Sequence, residues 1–176
     1  MKHFICFSIL VLCFSATTYA QDAKNARVSP LNMARTVFKD TYLKVTYSQP
    51  AKNGRVIFGE LVPYGKIWRT GANEATEITI TKDIYLQGTL IKPGTYSLFT
   101  IPQPIKWTII LNAEVGLWGD YNYNEKKDVV RFDAPVTTND KTFERFTIDF
   151  VQKNDSAELL LMWDNVKVSI PIRYIN

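Results

Sequence analysis

The chain has 176 residues, 46% of them hydrophobic and 22% charged, and 21 basic against 17 acidic side chains give a formal net charge of +4. Both signs are interspersed, with no run longer than Lys126-Lys127. The clustered basic face of a nucleic-acid binder is therefore missing, as is the amphipathic helix of a membrane-surface protein.

Residues 1–20 have the pattern of an export signal. Lys2 and His3 form a short polar start, Phe4 to Ala16 run almost unbroken as apolar residues, and Thr18-Tyr19-Ala20 offers small residues at the two positions a signal peptidase reads. The apolar run is too short to span a bilayer comfortably, and no other segment approaches its length. Cys13 is a poor lipid anchor, because Leu12 precedes it. Cleavage after Ala20 leaves Gln21 as the first residue of a soluble, periplasmic or secreted product with no integral membrane segment. Removing twenty of 176 residues leaves 156, enough for one domain that buries roughly 70% of its unfolded surface. The loss of Lys2 takes the charge from +4 to +3. Cys6, Cys13 and His3 leave with the signal, so the product has no disulfide, thiol or imidazole.

Residues 21–41 read as a loosely structured lead-in, and residues 42–176 as the β domain. Period-two alternation dominates there, the mark of strands with one buried face. Leu43, Val45 and Tyr47 share a face, as do Ile78 and Ile80; Trp107, Ile109 and Leu111; Phe146, Ile148 and Phe150; and Val166, Val168, Ile170 and Ile172. Gln87-Gly88 and Pro93-Gly94 predict two closely spaced hairpin turns. Asn154-Asp155-Ser156 and Asp164-Asn165 predict later reversals, and Gly59 to Tyr64 leaves room for one helical turn. About nine to ten short, mostly antiparallel strands at this spacing give an all-β fold, a sandwich or a flattened barrel.

Two stretches break the alternation, and loops this long are more often functional than connective. Residues 49–75 carry Arg55, Glu60, Tyr64, Trp68, Arg69, Asn73 and Glu74, and residues 112–128 carry Trp118, Tyr121 and Tyr123 among Asn and Asp. A functional site is expected on these two loops. Without His or Cys, triad hydrolysis and the usual zinc, copper and haem ligation fall away. Without GxxxxGK[ST] or GxGxxG, so do the usual phosphate cradles. No cofactor and no metal is expected. Asp120, Asn122 and Asn124 have the spacing of the first calcium-loop ligands, but Glu125 stands where Gly is needed and Arg131 where a bidentate Glu belongs.

The densest cluster is Trp68 to Glu74. In a ligand site, Arg69 binds a carboxylate or sugar hydroxyls, Asn73 and Glu74 complete the hydrogen bonds, and Trp68 or Tyr64 supplies a flat face. In a structural reading, Arg69 pairs with Glu60 or Glu74 to pin the loop, Trp68 fills the end of the sandwich and Gly71 permits a turn. Trp118 and Tyr121 suit sugar stacking, or else, with Tyr123, anchor their loop onto the core. Trp107 and Trp163 lie in strand patterns and belong to the core. Glu60 and Glu74 are the candidate carboxylates of a glycosidase-like pair, which would need one of them to have an elevated pKa.

The segment GELVPYGKIWRTGANEAT at 59–76 resembles the signature of the bacterial domain-of-unknown-function family 2911. The resemblance continues through LIKPGTYSLFTIP at 90–102, LWGDYNYNEKKDVVRF at 117–132, FERFTIDF at 143–150 and LLLMWDNVKVSIPI at 159–172. It implies an exported β-rich domain of about this size and no particular activity. Three functional classes follow from the residues. The first is a non-catalytic binding module for a carbohydrate or other polar small molecule. The second is a structural or interaction protein of the cell envelope, and the third a carboxylate-dependent glycan hydrolase or lyase. Oligomeric state is left open by the sequence.

Overall fold

The structure, a computed structural model, describes residues 27–175. The expected export signal, with Cys6, Cys13 and His3, and the first part of the lead-in lie outside the described residues. Nine strands are found among the described residues: β1 (Leu31–Phe38), β2 (Thr41–Ser48), β3 (Thr76–Ile80), β4 (Ile84–Leu86), β5 (Thr89–Ile91), β6 (Gly94–Pro102), β7 (Lys106–Asn112), β8 (Asp128–Gln152) and β9 (Ser156–Tyr174). They form one antiparallel sheet in the order β1-β2-β3-β6-β7-β8-β9-β4-β5. The sheet is not closed into a barrel.

The alternating residues explain why the sheet folds over. Leu43, Val45, Ile78, Ile80, Trp107, Ile109, Phe146, Ile148, Val168 and Ile170 are all buried in a single core. A sheet with one apolar face must cover it, and here it does so with its own other half. β8 makes this possible: its first part pairs with β7 from Asp128 to Pro135, and from Val136 onward it pairs with β9. The register shifts between Thr138 and Thr147, where β8 is irregular, and such irregularities bend a strand and increase its twist.

The seam between β1 and β2 on one side and β8 and β9 on the other is held by side chains. Thr36 Oγ1 donates to Gln152 Oε1 at 2.8 Å, and Phe38 stacks on Tyr174 with centroids 4.7 Å apart. The Tyr47 hydroxyl donates to the Ile148 carbonyl at 3.2 Å and accepts from the Ile148 N–H at 3.0 Å. Amides of Asn32 and Gln49 converge on the same hydroxyl, each at 3.3 Å.

Four local expectations are corrected. β1 lies inside the stretch read as a loosely structured lead-in. Its pattern hid it: Ala34 and Thr36 face inward, while Leu31, Met33 and Val37 are exposed. Gln87 (φ 48) and Gly88 (φ 82) do make the two-residue hairpin turn between β4 and β5. Pro93-Gly94 does not make a second one, because β6 pairs with β3 and β7, and the chain crosses from one half of the sheet to the other. Asp164, at φ 55, sits within β9 opposite the irregular part of β8, so Asp164-Asn165 marks a kink in a continuous strand, not a reversal. The stretch from Gly59 to Tyr64 forms turns and no helix.

Candidate functional site

The loop between β2 and β3 is irregular yet firmly tied down. Trp68 exchanges two backbone hydrogen bonds with Thr100 of β6, at 2.8 and 2.9 Å. Its indole is buried among Phe58, Trp107, Phe146 and Trp163, with centroids 5.0–6.2 Å away, and its Nε1–H donates to the Gly71 carbonyl at 3.1 Å. Trp68 is thus a core residue, and its face is not free for a ligand. The left-handed positions of the segment are Thr70 (φ 54) and Asn73 (φ 58), not Gly71. A β-branched residue in that region is an outlier. Thr70 is held there by its fully buried hydroxyl, which lies 3.1 Å from the Thr100 hydroxyl, and by the Thr76 hydroxyl on its carbonyl at 2.6 Å. Gly71 is needed for a close approach, since a Cβ there would stand 3.1 Å from the Ser48 carbonyl oxygen.

This geometry opens a cleft of about 320 Å³ at one end of the folded sheet. Arg55, Arg69, Asn53 and Asn73 line it, with Leu61, Val62, Trp68 and Trp163 among its apolar wall. Among the described residues no Asp or Glu lines it. Arg55 Nε and Nη2 donate to the carbonyls of Lys52 and Ala51 at 3.0 and 2.6 Å, so main chain fixes that guanidinium. The Asn73 amide donates to the Ser29 carbonyl at 3.3 Å and the Ser48 hydroxyl at 3.4 Å. Arg69 has no ion pair and no side-chain hydrogen bond among the described residues, and its Nε is sealed from solvent with no partner.

The expected pairing of Arg69 with Glu60 or Glu74 is therefore not what the structure contains. Glu74 meets Arg27 instead, in a two-pronged contact with both N–O distances 2.8 Å. The hydrogen bond from Arg27 holds the Glu74 carboxyl below its ordinary value, whereas a proton-donating acid needs the opposite shift. Glu74 lines a separate hollow of about 240 Å³ against β2, with Glu77 and Gly116. Glu60 is exposed in the preceding turn and lines neither space. Tyr64 packs its ring against Gly59 and is also outside the cleft.

The two long loops do meet. Ala75 N–H donates to the Leu117 carbonyl at 2.9 Å and Gly119 N–H to the Asn73 carbonyl at 3.0 Å. Their side chains nonetheless diverge. Tyr123 anchors its loop onto the outer face of the sheet, with its ring 5.0 Å from Phe99 and near Ile110. The Tyr123 hydroxyl donates to Asp128 at 2.7 Å, and Arg131 bonds both. Burial, with Asp128 next to it, pushes the Tyr123 hydroxyl's pKa up. Trp118 and Tyr121 are 57% and 81% exposed and lie outside the Arg69 cleft. Asp120 and Asn124 serve the local turns: the Asp120 carbonyl accepts from Tyr123 N–H at 3.1 Å, and Asn124 Oδ1 caps the 3₁₀ turn Glu125–Lys127 by accepting from Lys126 N–H at 3.1 Å.

Arg55 and Trp163 are cleft residues that sequence reasoning did not select as ligand-binding. Arg55 stood in the right loop without a neighbouring motif, and Trp163 read only as core. Together these features define an all-β domain with one open, folded-over sheet and a cationic cleft at its end. Residues 29–172 match the model of the family described as a protein of unknown function, DUF2911, and the chain belongs to that family. No curated protein matches the chain, and no solved structure does. Among the described residues no helix is long and apolar enough to cross a membrane.

Proposed function

We propose that the chain works after export as a non-catalytic binding module for a carbohydrate or other polar small molecule, taken up in the Arg69 cleft. One observation carries this reading: a half-buried guanidinium faces a concave space without a carboxylate partner among the described residues. A purely structural arginine at such a position would be paired, because an unpaired buried donor costs stability. The left-handed Thr70 beside it is a second sign, since backbone strain collects at functional sites. The signal-like residues 1–20 support export to the periplasm or the medium.

The test is a melting-temperature screen of residues 21–176 against mono- and oligosaccharides and small polar metabolites. A ligand at a hundred times its Kd stabilises by about 2.7 kcal/mol, which for a domain of this size raises the melting temperature by roughly 5–10 °C. A screen in which no compound raises it removes the reading.

A role in envelope interactions has its own supporting observation. β1 is an edge strand whose outward side chains Leu31, Met33 and Val37 are exposed, and edge strands with apolar faces pair readily with other chains. The hydrolase reading gains nothing comparable, because neither Glu60 nor Glu74 lines the Arg69 cleft.

A further inference from the structure

We infer that the molecule taken up by the Arg69 cleft is a small organic carboxylate whose two oxygens are held by the Arg69 guanidinium. This rests on the binding reading above and adds the ligand's charge, size and mode of attachment. The first ground is that, of the cations without a carboxylate partner, Arg69 is the one with a donor nitrogen sealed from solvent and unbonded among the described residues. Arg27, Lys52, Lys106 and Arg131 each have a carboxylate within 2.6–2.8 Å. At Arg69, where partial burial makes a missing partner most costly, the protein supplies none among its described residues.

The second ground is the company Arg69 keeps. Arg55 brings a second guanidinium, oriented by the carbonyls of Ala51 and Lys52 and with one terminal nitrogen left over. Among the described residues the lining holds no acidic group to repel an anion. A planar fork of donors fits a planar carboxylate through two parallel hydrogen bonds.

The third ground is shape. About 320 Å³ is near the lower end of small-molecule sites. The exposed apolar residues of its wall, Val28 and Leu61, would stay uncovered beneath a bare inorganic oxyanion, whereas an organic acid of sugar size covers them with C–H groups. The anion is thus expected at Arg69 and Arg55, with the body of the ligand against Val28 and Leu61.

The experiment uses matched pairs, in which only the carboxylate differs, titrated calorimetrically into residues 21–176 at low salt: galacturonate with galactose, glucuronate with glucose, and succinate with butane-1,4-diol. Inorganic phosphate is a further arm. At least one acid is expected to bind about ten- to a hundredfold more tightly than its neutral partner, and Arg69→Gln to remove that difference. Neutral sugars that bind as well as the acids, unaffected by Arg69→Gln, overturn the inference and leave the binding reading standing. Phosphate binding tighter than every acid overturns the carboxylate assignment, and no binding at all sinks both. A ligand-free measurement guards against an unlucky choice of acids. Arg69→Met should melt no lower than the wild type, because it removes an unpartnered guanidinium. A fall of several degrees would show that the fold itself uses Arg69, and the inference would be lost.

Discussion

Replacing Trp68 with alanine is expected to destabilise the domain by about 3–5 kcal/mol and to lower its melting temperature by roughly 10 °C or more. Four aromatic rings contact this indole, and its ring lies nearly parallel to that of Trp163, at 18° and 6.0 Å. Truncation leaves a cavity that rigid neighbours in β-strands fill poorly. It also frees the Gly71 carbonyl, which accepts the indole hydrogen bond. Trp68→Phe should cost much less, since it keeps most of the packing and loses mainly that bond, worth about 1 kcal/mol. Guanidinium denaturation of both variants measures the difference, and near-ultraviolet circular dichroism follows the change in the aromatic cluster around Trp163 and Trp107. Equal stability of the alanine and phenylalanine variants would mean that the indole is not the pin described here. Because Trp68 also stands at the root of the Arg69 segment, ligand affinity should fall with it.

The second large effect is expected from Tyr47→Phe, at about 1–3 kcal/mol. The ring still meets Phe146 edge-on at 5.8 Å, so packing is kept. What disappears is the hydroxyl that satisfies both the N–H and the carbonyl of Ile148 on the side of β8 that β9 does not occupy. Two buried backbone groups are then left without a partner. The loss should show as a lower denaturation midpoint with an unchanged slope. Alkaline titration gives an independent check. Burial raises the pKa of Tyr47, and likewise of Tyr123 and Tyr174, above the ordinary value of 10.0. Between pH 10 and those higher values the folded state holds protons that the unfolded state has released. The contribution of these groups is therefore fully present below pH 10 and is lost as the pH rises beyond it. Tyr47→Phe should flatten part of that alkaline decline. A steeper decline in the variant would contradict the bonding described here.

Much of the architecture was legible because burial in a sheet has a period of two. Leu43, Val45, Ile78, Ile80, Trp107, Ile109, Ile148, Val168 and Ile170 are inside, as their spacing requires. Where the reading failed, the physics was different. β1 escaped notice because its inward residues are Ala34 and Thr36 and its larger apolar ones face out. Ile110 is buried on the face opposite Ile109, since the Tyr123 loop covers the outside of β6 and β7 there. Asp164 adopts a left-handed conformation that a kink and a turn both accept, so its local chemistry does not distinguish them. The cleft was legible only in part. Arg69 and Asn73 announced themselves in one short segment, but its walls come from residues as distant in sequence as Ser29, Arg55 and Trp163. No spacing rule brings those together. Whether a carboxylate partners Arg69 is likewise decided by the route of the whole chain, which delivers Arg27 to Glu74 instead.

β8 belongs to both halves of the folded sheet, and this has a kinetic consequence. Neither half owns a complete set of strands, so neither has an independent route to stability, and the domain should unfold in a single cooperative step. Its ladder joins residues far apart in the chain, such as Leu43 with Ile80 and Leu86 with Ile172. Such high contact order places refolding in the range of about milliseconds to seconds.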